Sequence, residues 1–278
     1  MIIWLASYPK SGNTWVRTFI NSILFETNET TNLNNLKIRL FPLRSDFERI
    51  NIDPDDIIQF AINSINSQSL VNLDNKIKIF KTHNALWRFQ NHSFTDTENT
   101  LAVIYIVRDP RNILTSVKNF FKFKDDDKAL SFMTNEKQSI GLRKRGGSIN
   151  LPTIVSSWSN HYSSWKKMEK NYLLIKYEDL LKNSFEEFNK IVIFLKQFYD
   201  LKIDELNIKK IVENCNFDNL KKQEDRFGFN EIIENSDDPP PKFFFLGPQN
   251  NWQKILNPKT KEKIELKFKK EMIELGYL

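Results

Sequence analysis

The stretch that most constrains this chain is Ser7-Tyr8-Pro9-Lys10-Ser11-Gly12-Asn13-Thr14-Trp15. Ahead of it, Ile2-Ile3-Trp4-Leu5-Ala6 is short, continuously apolar and β-branched at its start, the pattern of a buried strand. Behind it, Val16, Phe19, Ile20, Ile23 and Leu24 recur at steps of three and four, the period of an amphipathic helix. A strand, a loop of small residues and a helix N-terminus together form an anion site. Loop N–H groups and the helix dipole converge there, and Lys10 adds a positive charge. An ordinary strand-to-helix turn has the same local appearance. The nucleotide triphosphatase loop does not fit, because Lys10-Ser11 precede Gly12 and no glycine lies upstream.

Bulk properties narrow the class. A chain of 278 residues suffices for one large domain, or two small ones, with a sizeable core, and 23 Phe supply bulky core material. The net charge of +6 suits an anionic ligand, but interleaved Lys and Glu/Asp argue against nucleic acid. The lone Cys215 rules out an internal disulfide and argues against a cysteine metal site. No apolar run reaches membrane-spanning length, and the N-terminus lacks the basic flank of a signal peptide, so a cytoplasmic protein is expected.

Taken in order, the chain gives further expectations. Residues 27–75 read as an insertion that shapes a substrate wall, with a helix capped by Asp53, begun by Pro54 and carrying Ile57, Ile58, Ala61, Ile62 and Ile65 on one face. Ile77-Lys78-Ile79-Phe80 reads as a second strand leading to Lys81-Thr82-His83. Leu101–Val107 reads as a buried parallel strand running into Arg108, with Asp109 and Pro110 opening a helix that carries Ser116. Residues 122–150 read as a solvated loop or a lid, with Phe120, Phe121 and Phe123 before it lining either a pocket or the core. A helix with core aromatics Trp158, Tyr162 and Trp165 and a fourth strand, Tyr172–Lys176, follow. Ser184-x-x-Glu187 then reads as a capping box opening a helix. The terminal helix turns Ile264, Phe268, Met272 and Leu275 to one face.

The first loop resembles the 5′-phosphosulfate loop of the sulfotransferase family, Tyr/Phe-Pro-Lys-Ser/Thr-Gly-Thr-x-Trp, and the remaining motifs follow that family in order. The resemblance implies an α/β fold of three layers, a central, mainly parallel β-sheet flanked by helices and related to the P-loop nucleotide triphosphatases, in a single domain over 1–278. It implies transfer of a sulfuryl group from 3′-phosphoadenosine-5′-phosphosulfate to a hydroxyl or amine. Lys10, Ser11, Gly12, Asn13, Thr14 and Trp15 would then hold the 5′-phosphosulfate, and Arg108 with Ser116 the 3′-phosphate. Tyr177 and Phe217 would contact the adenine, with Trp15 and Phe217 as an aromatic clamp. His83 would be the general base, and Lys10 and Ser116 would assist catalysis. The segment 236–252 matches the family lid around Gly247 and Trp252, but Phe245 and Leu246 stand where the family has Arg and Lys. Lys242 or the Arg143-Lys144-Arg145 run are the cations available to compensate. No metal is implied. The acceptor, whether small molecule, lipid or glycan, is not written in the motifs. Two other classes remain: an inactive nucleotide-binding protein on the same fold, and a nucleotide phosphotransferase or kinase.

Overall fold

The computed structural model describes residues 1–25, 32–54, 56–141, 151–169, 171–231 and 241–278. Its main sheet has four strands: β1 (Ile2–Ser7), β2 (Lys78–Thr82), β3 (Thr100–Val107) and β4 (Tyr172–Lys176), in the spatial order β2-β1-β3-β4. β1 runs parallel to both neighbours, with Trp4 opposite Phe80 on one side and Val103 on the other. Every residue of β1 is buried, as a central parallel strand requires.

The chain forms two compact units, each assembled from three segments: residues 1–9, 39–107 and 132–174, and residues 10–38, 108–131 and 175–278. In the first unit, fully buried Trp4 is ringed by Phe41, Phe80, Phe94 and Trp165 at centroid distances of 5.1–6.3 Å. Its indole N–H donates to Thr100 Oγ1 at 3.0 Å. In the second, the helix Asn13–Phe25 buries Val16, Phe19, Ile20 and Ile23, and Phe19 stacks on Phe188 at 4.2 Å.

Several local expectations are corrected. The helix after Pro54 spans Ile57–Asn72 and is capped by Asp56, whose carboxylate accepts from the N–H of Ile58 and Gln59. Its buried face is Phe60, Ala61, Ser64, Ser67 and Gln68, while Ile57, Ile58 and Ile62 are exposed. A polar network selects that face. Ser64 and Gln68 both donate to the Phe94 carbonyl, at 2.9 and 2.6 Å, and Thr95 Oγ1 donates to Gln68 Oε1. A buried carbonyl that gains two donors outweighs the burial of these three isoleucines.

The 122–150 stretch contains a helix, Asp126–Thr134, burying Ala129, Leu130, Phe132 and Met133 beneath its charged text. Ser139–Ile140 then pairs antiparallel with Thr153–Ile154. The Arg143–Gly147 run lies outside the described residues, as do residues 27–31 and 236–240. Ser184 does not cap its helix; it is the first residue of Ser184–Leu195, and Glu187 pairs with Lys190 instead. The terminal helix is two, Pro258–Lys267 and Lys269–Glu274, with Ile264, Phe268, Met272 and Leu275 all buried. Trp158, Tyr162 and Trp165 are core residues as expected.

Candidate functional site

The second unit gathers most of the predicted site around the loop after β1. Lys10 and Gly12 adopt positive φ angles, 67° and 99°, which fold the loop back so that Asn13 opens the helix. The first turn of a helix leaves N–H groups without intrahelical acceptors, and here Ser11, Asn13 and Thr14 are buried around that turn. A Cβ on Gly12 would lie 2.5 Å from Tyr177 Cδ2, so Tyr177 packs directly on the loop backbone. Gly12→Ala combines that overlap with a strained backbone. It is expected to destabilise the fold by about 1–3 kcal/mol and to weaken nucleotide binding. Thermal unfolding and calorimetric titration of the variant check both effects.

Arg108, at the end of β3, ties the loop to the next helix. Its guanidinium donates to the Lys10 carbonyl at 3.0 Å, reaches Ser116 Oγ at 3.5 Å and lies 4.1 Å from the Tyr177 ring centroid. Asp109 caps the helix Pro110–Phe120, accepting from the Arg111 N–H. The expected Arg108–Ser116 pair is therefore formed, and Asn250 joins it by donating to Ser116 Oγ at 3.1 Å and to the Asn112 carbonyl at 2.7 Å. Asn250 carried no sequence signal, because Gly247-Pro248-Gln249-Asn250-Asn251 reads simply as a turn.

Behind Arg108 lies a charged lattice. Arg111 forks onto Asp109 and also holds Glu265 at 2.6 Å and the Tyr277 carbonyl at 2.8 Å, with the Trp252 ring 3.9 Å beneath it. Glu178 accepts from the Asp109 N–H and the Tyr277 hydroxyl. Burial raises the Glu178 pKa above the usual carboxylate value, against the pull of those donors and of Arg108.

Aromatic rings gather beside the loop. Trp15 meets Tyr177 and Phe188 edge-on, and Phe217 meets Phe244 at 5.8 Å. Trp15 and Phe217 both border one apolar cluster, Leu33, Leu220, Phe229 and Phe244. Gly247, at φ +52°, lies against the Phe217 ring so closely that a Cβ would come within 2.3 Å of it. In the lid-like segment, Phe243 and Phe244 donate their N–H groups to Glu224 at 2.6 and 2.9 Å. Lys242 is engaged by Asp225 at 2.6 Å, and Phe245 is exposed. The Lys10 ammonium lies 3.7 Å from the Phe243 centroid and 4.2 Å from that of Phe120, an aromatic seat assembled by distant parts of the chain.

Among the described residues of this unit, Ser11 Oγ, Trp15 Nε1, Arg17 Nε and Arg108 Nε are buried donors without a hydrogen-bond partner. Buried donors are rarely left unsatisfied without a functional reason. Ser11, Trp15 and Arg108 are residues expected to bind phosphate or adenine, so the residues present fit a phosphorylated nucleotide.

His83 belongs to the first unit, just past the end of β2. Its Nδ1 lies 2.8 Å from the Ser7 carbonyl and 3.3 Å from Ser7 Oγ. A carbonyl only accepts, so Nδ1 carries the proton and Nε2 is the basic nitrogen of the neutral ring. His161 of the helix Trp158–Lys166 was not foreseen as functional. It is fully buried, near the Tyr8 ring, and its pKa is pushed down to about 3 by loss of hydration. A histidine on the inner face of an aromatic helix was its only signal.

Among the described residues, no cluster of His, Cys, Asp and Glu could hold a metal ion, and no helix is long and apolar enough to cross a membrane.

Comparison with known proteins gives one family. The sulfotransferase domain family matches residues 2–276. Sulfotransferase 1B1 of Canis lupus familiaris is 24% identical over 279 residues, covering 97% of this chain and 83% of the relative. Cytosolic sulfotransferase 5 of Arabidopsis thaliana is 23% identical over 282 residues, covering 99% and 80%. Among solved structures, mouse sulfotransferase SULT7A1 complexed with PAP superposes with a TM-score of 0.60 at 20% identity, covering 98% of this chain and 84% of that one. Retinol dehydratase in complex with androsterone and the inactive cofactor PAP superposes with a TM-score of 0.62 at 18% identity, covering 98% and 80%. The fold is thus α/β, a parallel four-strand sheet flanked by helices, as in those structures.

Proposed function

Because the chain belongs to the sulfotransferase domain family and is an enzyme of that kind, we propose that it transfers a sulfuryl group from 3′-phosphoadenosine-5′-phosphosulfate to a hydroxyl or amine of a small-molecule, lipid or glycan acceptor. The observation that carries this reading is the set of buried, unsatisfied donors on Ser11, Trp15 and Arg108, grouped with Lys10 around one strand-to-helix loop. The PAP found in the two solved structures, SULT7A1 and retinol dehydratase, supports the same nucleotide class.

The donor supplies an activated sulfuryl group and a bisphosphate that departs; this chain's residues bind, orient and move the proton. Ser11, Gly12, Asn13 and Thr14 offer loop and helix N–H groups and hydroxyls to the 5′-phosphosulfate. Arg108 and Ser116 hold the 3′-phosphate, the guanidinium giving a planar fork that a lysine lacks. Trp15, Tyr177, Phe217 and Gly247 form the adenine end. Lys10, seated on Phe120 and Phe243, offers its ammonium to the charge that builds on the departing phosphate. His83 takes the acceptor's proton at Nε2, because Ser7 keeps the Nδ1 proton in place.

The experiment is release of 3′-phosphoadenosine-5′-phosphate from the donor, measured with panels of phenols, hydroxysteroids, amines and glycans and without added metal. Release that depends on an acceptor is the expected result. Donor that stays intact with every panel, alongside magnesium-dependent ATP turnover, would replace this reading with a phosphotransferase.

A further inference from the structure

Consecutive carbonyls beyond β2, those of His83 and Asn84, receive ring N–H groups from two residues one helical turn apart. His161 Nε2 lies 3.2 Å from the His83 carbonyl, and Trp165 Nε1 donates to the Asn84 carbonyl at 2.8 Å. Ser164 Oγ accepts from the Leu86 N–H at 3.0 Å. One face of the helix Trp158–Lys166 therefore grips the backbone that carries His83.

The proton positions on His161 follow from its partners. Its Nε2 faces a carbonyl, which cannot donate, so Nε2 carries hydrogen. Its Nδ1 lies 2.8 Å from the Tyr105 hydroxyl, itself completely buried. In the neutral ring that burial enforces, Nδ1 is the acceptor and Tyr105 donates. The hydrogen bonds therefore run in one direction, Tyr105 O–H to His161 Nδ1, then His161 Nε2–H to the His83 carbonyl. All three groups belong to the same unit. A buried histidine beside the rings of Tyr8 and Tyr105 could have been any apolar residue of its size; polar partners at both nitrogens instead specify one ring orientation.

We infer that His161, oriented by Tyr105, is a positioning residue for His83: it fixes the backbone at residue 83 so that the imidazole keeps Nδ1–H on the Ser7 carbonyl and Nε2 toward the acceptor. This inference rests on His83 being the base, and deepens that reading by naming what holds the base in register.

The test uses two variants and two readouts. His161→Phe removes the donor while keeping an aromatic ring, and His161→Gln restores an N–H donor at the Nε2 position. Turnover should fall by about 10- to 100-fold in His161→Phe, as expected when a catalytic group is displaced by about an ångström. Affinity for 3′-phosphoadenosine-5′-phosphate should stay unchanged, and His161→Gln should recover most of kcat. The second readout needs no turnover. The chain has three histidines, so long-range 15N–1H spectra can assign each ring. The native protein should show His161 protonated at Nε2 and His83 at Nδ1, and His161→Phe should leave His83 as a mixture of tautomers. If His161→Phe does not fold, Tyr105→Phe gives the same tautomer readout with the ring of His161 intact. An unaltered His83 spectrum, or equal kcat in the Phe and Gln variants, would overturn the inference. A tautomer change in His161→Phe, beside a native protein that transfers no sulfuryl group, would refute the proposed function while showing that His161 still orients the ring of residue 83.

Discussion

Replacing His83 by Asn is expected to lower kcat by about 10²- to 10⁴-fold, the range associated with losing a general base. The asparagine amide can still donate to the Ser7 carbonyl, which His83 Nδ1 meets at 2.8 Å, so the local fold is retained while the basic nitrogen is lost. His83 is assigned to the acceptor's proton and not to the nucleotide, so nucleotide affinity should not change. The predicted signature is therefore a fall in kcat with an unaltered dissociation constant for 3′-phosphoadenosine-5′-phosphate. Steady-state kinetics and calorimetry on one preparation read both. Turnover close to the native rate would remove His83 from the chemistry, and a parallel loss of nucleotide binding would recast it as structural.

The second large effect falls on binding. Arg108→Ala should weaken 3′-phosphoadenosine-5′-phosphate by about 10- to 150-fold, equivalent to the roughly 1.5–3 kcal/mol of a hydrogen bond to a charged group. The guanidinium is held by the Lys10 carbonyl, approaches Ser116 and lies over Tyr177, while its Nε is buried without a protein partner. Arg108→Lys keeps the charge but not the planar fork or the ring contact. It should recover only part of the affinity. Adenosine 5′-phosphate, which lacks the 3′-phosphate, should bind the native protein and Arg108→Ala alike. Equal loss for both nucleotides would mean that Arg108 supports the loop rather than the 3′-phosphate.

The parts legible in the sequence are those whose signals are local. Ile2–Ser7 and Thr100–Val107 are continuous apolar runs, and each ends in a loop with its own helix-opening residues, Asp109 and Pro110 in the second case. The spacing from Arg108 to Ser116 is likewise local, and the structure forms that pair. What escaped was decided by partners far along the chain. The helix Ile57–Asn72 turns serine and glutamine inward because the Phe94 carbonyl needs donors, which its own isoleucines could not reveal. The charged text after Lys122 hides a helix because its four buried residues are set among Asp126, Asp127, Lys128, Ser131 and Thr134. Lys10 finds its aromatic seat on Phe120 and Phe243, more than 100 residues away, and Phe243 precedes Phe245 and Leu246, where the resemblance places two cations. His161 was invisible for the same reason: its role depends on Tyr105 and on the carbonyl of residue 83.

That replacement makes the donor site the central claim to test. Phe245 and Leu246 stand where the resemblance places two cations, Lys242 is bound to Asp225, and among the described residues the claim rests on Lys10, Arg108 and the loop N–H groups. The most direct measurement is calorimetric titration of the native protein with 3′-phosphoadenosine-5′-phosphate beside adenosine 5′-phosphate. Micromolar binding of the bisphosphate, at least ten-fold tighter than the monophosphate, is the predicted result, ten-fold being about 1.4 kcal/mol. Equal binding of the two, or no heat from either, would contradict it.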